Sequence, residues 1–312
     1  MQVKSMGSLK VSAIILGTWA IGGSMWGTYD EAQALKTIES AADLGITTID
    51  TAPAYGNGQA EMLIGKVLAQ GKREAYQILT KCGIDTAHGF AVNLSKKFIK
   101  QEVENSLMRL RTDYLDLYQC HWPDLKTPLA DTMEVLVKLK EQGKIREIGV
   151  CNFNEIQLRE TFKLASIVSY QPQYSLLNRS VENKELAFCA DKLISVIPYG
   201  VLGGGLLTGK YTSKPQFEPM DARNFFYPYY DDSHWPALEK AVARLRVIAQ
   251  LKQTSPGNLA IAWTIAKGTM PLVGARTPEQ LAQNAVAASL KLSPEEIAEL
   301  EHLFPQHHTH HK

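Results

Sequence analysis

The chain has 312 residues, 45% hydrophobic and 21% charged, with a formal net charge of +1. That balance suits a globular protein with a sizeable core, and it provides no electrostatic footprint for nucleic acid or an anionic membrane surface. The length is compatible with two average domains or with one α/β barrel.

Lys4 and Lys10 precede an apolar segment, Val11 to Gly23, that mimics a secretion signal. Gly17, Thr18, Gly22 and Gly23 interrupt it, no small-x-small cleavage pattern follows, and no apolar run reaches the length of a membrane span. Lys10 to Leu16 is therefore expected to be a first strand, leading into Gly17-Thr18-Trp19. Glu31 to Leu44 has helical periodicity and stops at Gly45. Thr47 to Asp50 reads as a short buried strand, followed by a loop imposed by Pro53, Gly56 and Gly58, with Tyr55 on it. Glu61–Ala69 is expected to be a helix, Tyr76–Lys81 a strand, and Ser95 the cap of a helix running to Leu110. Then come strand Tyr114–Cys120, helix Pro128–Glu141, strand Ile145–Cys151, helix Glu155–Ala165, strand Ile167–Gln171, helix Glu182–Asp191 and strand Leu193–Pro198.

From Gly200 to His234 no periodic element is visible. A loop of this length inside a compact domain is usually functional or disordered. Phe225, Phe226, Tyr227, Tyr229 and Tyr230 favour an ordered lid, because disordered segments are poor in aromatics. Helical patterns resume over Pro236–Lys252 and Pro256–Lys267. Met270–Gly274 is the eighth strand, Pro278–Ala288 its helix, and Ser293 caps a final helix.

Eight short strands alternating with helices predict a (β/α)8 TIM barrel. An open doubly wound sheet is the alternative, but it would want Gly-x-Gly-x-x-Gly after the first strand, which Gly17, Gly22 and Gly23 do not form. Cys82, Cys120, Cys151 and Cys189 match no zinc pattern. They read as buried free thiols in a reducing, cytoplasmic setting, and no metal site is expected. The domain spans residues 1–304. A His-rich tail, residues 305–312, lies beyond the last expected helix and carries no argument.

Polar residues stand at the ends of successive strands: Asp50, Lys81, His121, Asn152, Gln171 and Tyr199. In a barrel these ends meet at one mouth, where ligands bind. Tyr55 is a phenol one loop away. An unperturbed phenol, pKa about 10, is a poor acid near neutrality. A nearby ammonium favours phenolate and would lower that pKa. Asp50 would hold Lys81 charged, and His121 would orient a carbonyl oxygen. Protonating that oxygen requires something to attack the carbon, and a nicotinamide hydride would serve.

The segments Gly45-Ile-Thr-Thr-Ile-Asp-Thr-Ala-Pro-Ala-Tyr-Gly, Thr80-Lys81, Asp113-Tyr-Leu-Asp-Leu-Tyr-Gln-Cys-His121-Trp-Pro and Gly149-Val-Cys-Asn152-Phe closely resemble the aldo-keto reductases. The resemblance runs over nearly the whole chain. It implies a barrel plugged by an N-terminal β-hairpin, with additional C-terminal helices. It also implies NAD(P)H-dependent reduction of an aldehyde or ketone by the tetrad Asp50, Tyr55, Lys81 and His121, with Tyr55 as the acid.

By the same resemblance Asn152 and Gln171 hold the carboxamide, with Cys151 where the family often has Ser, and Tyr199 stacks on the nicotinamide. Gly17, Thr18, Trp19, Gly200, Leu202, Gly204, Leu206, Gly209 and Lys210 line the rest of the cofactor site. Gly274, Arg276, Gln280 and Asn284 receive the adenosine phosphate. Several branches have Lys and Arg where Gly274 and Gln280 stand, and Arg276 would compensate, so NADP(H) is favoured over NAD(H).

Gly204-Gly-Leu-Leu-Thr-Gly209-Lys210 also fits the start of a P-loop, but Tyr211 replaces the Ser or Thr needed for magnesium and no helix follows. Its glycines would instead let backbone approach a diphosphate. Trp19, Trp26 and Trp122, with Tyr55 and His121, suggest an apolar substrate pocket. The partner expected is a small carbonyl compound. The rival reading is a cofactor-binding regulatory or redox-sensing subunit with little turnover.

Overall fold

The computed structural model describes residues 1–305; the tail histidines from His307 onward lie outside them. The N-terminal residues form an antiparallel hairpin, β1 (Val3–Met6) and β2 (Leu9–Ser12). Barrel strand β3 (Ile15–Gly17) follows. The single strand expected over Lys10–Leu16 is thus two: the chain turns at Ala13-Ile14 out of the hairpin and into the barrel wall. An apolar run satisfies either role, so its pattern did not mark the corner.

The wall continues with β4 (Thr48–Asp50) and β5 (Gln77–Cys82), and a small side hairpin of β6 (Ile84–Asp85) and β7 (Ala91–Val92) comes next. Strands β8 (Leu115–Cys120), β9 (Ile145–Cys151), β10 (Ser169–Gln171), β11 (Ser195–Val196) and β12 (Leu272–Gly274) complete it. The eight wall strands are parallel, in the order β11-β10-β9-β8-β5-β4-β3-β12. Two backbone bonds close the ring, Met270 N–H to Val196 O at 3.0 Å and Leu272 N–H to Pro198 O at 2.8 Å.

Helices α1 (Glu31–Asp43), α2 (Gln59–Val67), α3 (Lys96–Leu110), α4 (Leu129–Glu141), α5 (Glu155–Leu164) and α6 (Glu185–Asp191) link successive strands. Ser95 caps α3 as expected, whereas Pro128 is the cap of α4 rather than its first-turn residue. The long segment after β11 is ordered, with a 3-10 turn at Gly203–Thr208, a short helix α7 (Arg223–Phe226) and packed aromatic rings. Then come α8 (Trp235–Leu251), α9 (Pro256–Ala266), α10 (Pro278–Ala285) and α11 (Pro294–Leu303).

Strand side chains alternate, so every second residue points into the barrel. The lower inward layer is apolar: Ile15, Leu79, Leu117 and Leu272 pack with Met6, Leu9 and Val11 of the hairpin. The hairpin thereby fills the floor. Gly7 sits at its turn at φ +57°, where a Cβ would lie 2.5 Å from Val168 Cγ1. Glu147, inward on β9, accepts the Ser8 N–H at 2.9 Å. One step up β5 and β8 the inward residues become polar, Lys81 and Gln119, and there the candidate site begins. Among the described residues no helix is long and apolar enough to cross a membrane.

Candidate active site

Asp50 ends β4 and Lys81 lies one residue before the end of β5; they are 1% and 0% exposed. Two charges taken out of water persist only when paired and further hydrogen-bonded. Here Lys81 Nζ donates to Asp50 Oδ1 at 2.5 Å, to Thr51 O at 2.9 Å and to the Tyr55 hydroxyl at 3.1 Å. Three donors meet three acceptors, one of them the phenol.

Glycines hold the phenol in place. Gly56, at φ +60°, packs so closely on the loop after β3 that a Cβ would lie 2.1 Å from Gly22 O. Thr18 fixes that same loop to the strand end, its N–H and hydroxyl both donating to Asp50 O at 3.0 and 2.9 Å. The Thr18 side chain is thus used internally.

Burial, outweighing Lys81, pushes the Tyr55 phenol up to about 12. The sequence alone pointed the other way, towards phenolate, because depth in the barrel could not be weighed against the ammonium. Tyr55 is therefore a fully protonated phenol near neutrality, with its acidity restrained by burial and relieved by Lys81. Burial also disfavours the Lys81 ammonium, but Asp50 together with Tyr55 and Cys151 outweighs it and its pKa is raised. His121, its ring centroid 5.9 Å from that of Tyr55, is held neutral by burial and by Lys81, with a pKa well below the usual histidine value. A neutral imidazole beside a phenol supplies a hydrogen bond without a competing charge.

The second oxygen of Asp50 faces two amides. Gln171 Nε2 donates to Asp50 Oδ2 at 2.9 Å and to Gln119 Oε1 at 3.2 Å, and Gln119 Nε2 donates to Asp50 Oδ2 at 3.2 Å. Gln119 escaped the reading of strand ends because it lies inside β8. Alternation counted back from His121 would have found it on the same inward face as Leu117. Cys151 is a buried neutral thiol donating to Gln119 Oε1 at 3.7 Å.

Asn152 takes φ +61°, a left-handed conformation that Asn tolerates better than most residues. Its Nδ2 donates to His121 O and its Oδ1 accepts the Tyr199 hydroxyl, both at 2.9 Å. Gln171 uses both N–H groups internally and keeps its carbonyl for a ligand. Asn152 keeps one N–H. An acceptor beside a donor complements a primary carboxamide.

Past Tyr199 the backbone is shaped for close approach. Gly203, Gly204 and Gly205 all take positive φ, and Lys210 Nζ would lie 3.2 Å from a Cβ on Gly205. Leu206 is turned into the core. Arg223 was not singled out in the sequence. It bonds Asp221 and the Tyr211 hydroxyl, and its Cγ lies 3.2 Å from a Cβ on Gly204.

The aromatic residues form a joined wall. Trp19 stacks on Tyr55 with centroids 5.9 Å apart, and meets Trp26 and lid residue Phe226 edge-on, each at 5.3 Å. Trp122 takes part in none of these contacts and is 37% exposed.

On the far side Gly274 ends β12 in register with Gly17. Asn284 Nδ2 donates to Gly274 O at 3.3 Å, and Gln280 Oε1 accepts the Arg276 N–H at 2.9 Å. The Arg276 guanidinium reaches the neighbouring loop after β3, at Trp26 O and Thr28 O. All four cysteines are buried and free. Among the described residues no group of three or more His, Cys, Asp or Glu is placed to hold a metal ion.

Residues 13–304 match the model of the aldo/keto reductase family. The chain belongs to that family. Among its relatives, aldo-keto reductase YhdN of Bacillus subtilis is 43% identical, over 88% of this chain and 84% of the relative. The NADH-specific methylglyoxal reductase of Escherichia coli is 36% identical, over 91% and 92%. Among solved structures, the glycerol dehydrogenase of Gluconobacter oxydans superposes with a TM-score of 0.89 at 33% identity, covering 96% of this chain and 94% of that one. An aldo-keto reductase from Klebsiella pneumoniae in complex with NADPH gives 0.78 at 28% identity, covering 99% and 97%.

Proposed function

We propose that the chain, with residues 1–304 as one catalytic unit, reduces an aldehyde or ketone to the alcohol using a nicotinamide cofactor. The observation that carries this is the buried Lys81 ammonium, which bonds Asp50 Oδ1 and the Tyr55 hydroxyl together beside a neutral His121. A reduced nicotinamide, when bound, supplies a hydride to the carbonyl carbon. The chain's own residues handle the oxygen. Tyr55 gives its proton to the developing alkoxide, and Lys81 stabilises the phenolate left behind. Asp50 keeps the ammonium charged and aimed, and His121 positions the carbonyl oxygen. In the reverse direction the same phenolate takes the alcohol proton.

For the cofactor, the Gln171 carbonyl and the free N–H of Asn152 face the carboxamide, and Tyr199 lies against the ring. The left-handed glycines 203–205 with Lys210 receive the diphosphate. Arg276, with Gln280 and Asn284 nearby, receives the adenosine phosphate, which favours NADP(H). The NADH-specific relative and the NADPH-bound neighbour keep this preference a matter for direct titration. The ring wall of Trp19, Trp26 and Phe226 favours apolar carbonyl compounds. The four buried thiols suit a reducing compartment such as the cytoplasm.

The test is loss of NADPH or NADH absorbance with para-nitrobenzaldehyde. Turnover abolished by Tyr55→Phe supports the assignment. Cofactor binding without turnover on a broad carbonyl panel would point to a regulatory subunit.

A further inference from the structure

We propose that Gln119 is a positioning residue of this site, orienting the Asp50 carboxylate and the Gln171 amide at once; the inference rests on the reductase reading. Gln119 lies on β8, in register with Lys81 on one side and Gly149 on the other. It is fully buried. Its room comes from Gly149, where a Cβ would meet Gln119 Cγ at 3.0 Å and Ser169 Oγ at 2.1 Å.

An ionised carboxylate only accepts hydrogen bonds. Asp50 Oδ2 therefore turns the nitrogens of both Gln119 and Gln171 towards itself, at 3.2 and 2.9 Å. The Gln119 carbonyl then accepts the second N–H of Gln171 at 3.2 Å, and the three side chains close a ring.

Two consequences follow from that ring. Asp50 is held by a neutral amide on the side away from Lys81, so its carboxylate cannot rotate off the ammonium that faces Tyr55. The Gln171 carbonyl is the one group of that amide left over, so it must face outward to the carboxamide position. Without Gln119 the Gln171 amide has one fewer anchor and can turn over.

Two variants separate this role from packing. Gln119→Met keeps length and burial but removes donor and acceptor. Gln119→Glu titrates against the groups facing the position: Asp50 on β4, Lys81 on β5, the Cys151 thiol on β9 and Tyr55 on its loop. As a protonated carboxyl it reproduces both bonds. As a carboxylate it sets a second negative charge against Asp50 Oδ2 and loses the donor. Burial and the like charge of Asp50 raise its pKa, opposed by Lys81.

The measurements are kcat for para-nitrobenzaldehyde over about pH 5–9, NADPH affinity by quenching of protein fluorescence, and thermal unfolding. Gln119→Met is expected to lose about tenfold in kcat and to bind NADPH more weakly while remaining folded. Gln119→Glu is expected to match the wild type at the acid end and to fall towards the methionine variant as pH rises, with an inflection that the wild type lacks. Overturning results are kcat and affinity in both variants within about twofold of wild type at every pH, or losses that follow the unfolded fraction alone with no pH signature in Gln119→Glu. Wild-type protein that turns over no carbonyl would instead remove the reductase reading. The NADPH titrations would still decide on Gln119, because they report the Gln171 amide without any turnover.

Discussion

The mouth of the barrel is two unlike halves. Around Tyr55 the polar groups are buried and satisfy one another: Asp50, Lys81, Gln119 and Gln171 are joined by bonds of 2.5–3.2 Å. Beyond β12 Gly274, Arg276 and Gln280 are exposed, and Arg276 leans on the carbonyls of Trp26 and Thr28. The first half is held by its own hydrogen bonds, as electrostatic preorganisation requires. The second half has its donors on exposed side chains. In the proposed reading, reaction type belongs to the rigid half and the choice between NADP(H) and NAD(H) to the loose one.

The largest expected effect lies in the rigid half. Tyr55→Phe removes the hydroxyl, and with it the proton donor and one acceptor of Lys81, and should lower turnover by about a hundred- to ten-thousandfold while cofactor still binds. Retention of more than about a tenth of wild-type turnover with chemistry rate-limiting would mean that another group protonates the carbonyl.

Next comes Lys81→Met. It should cost more turnover than its loss of cofactor binding explains, because Lys81 lowers the Tyr55 pKa. Its removal leaves burial and Asp50 to push that pKa further up, so the pH profile of alcohol oxidation should move to higher pH. An unchanged profile would uncouple the two residues. The variant should also lose about 3–5 kcal/mol of stability, the usual cost of stranding one charge of a buried pair, which denaturant unfolding would read.

In the loose half Arg276→Ala should weaken NADPH binding by about ten- to a hundredfold, a charge-assisted bond being worth about 1.5–3 kcal/mol. NADH, lacking the 2′-phosphate, should lose much less. Equal losses in fluorescence titrations would identify stacking on adenine instead.

The smallest effect sharpens the boundary of the rigid half. Glu102 on α3 accepts the Gly83 N–H at 2.7 Å, just beyond β5, and burial raises its pKa to about 8 from the ordinary 4.5. The folded state then binds a proton that the unfolded chain releases. Its contribution is full below about pH 4.5 and is lost as pH rises through about 8. A gap of one pH unit between the two states is worth about 1.4 kcal/mol. Glu102→Gln should flatten the thermal midpoint over that window, with activity little changed. A midpoint that falls with pH as steeply as in the wild type would assign the dependence elsewhere.

The sequence showed most clearly what the strands themselves position. Asp50, Lys81, His121 and Gln171 were legible because each sits at or next to a strand end, where one polar residue interrupts an apolar run. Gln119 was hidden by standing one step inside such a run. The corner at Ala13-Ile14 was hidden because both sides of it are apolar. The sign of the Tyr55 shift was not legible, since burial and the ammonium oppose each other and only depth decides between them. Arg223 and Asp221 were lost in a segment without periodicity, where pairing depends on the path of the loop.

The hairpin in the floor has a consequence for traffic. With Met6, Leu9 and Val11 packed into the lower layer, the barrel is a well with one opening. Whatever reaches Tyr55 enters at the strand-end mouth, and what it becomes leaves by the same door. Entry and exit therefore compete for one passage, and the residence time of the product depends on the residues that line it rather than on those that made it.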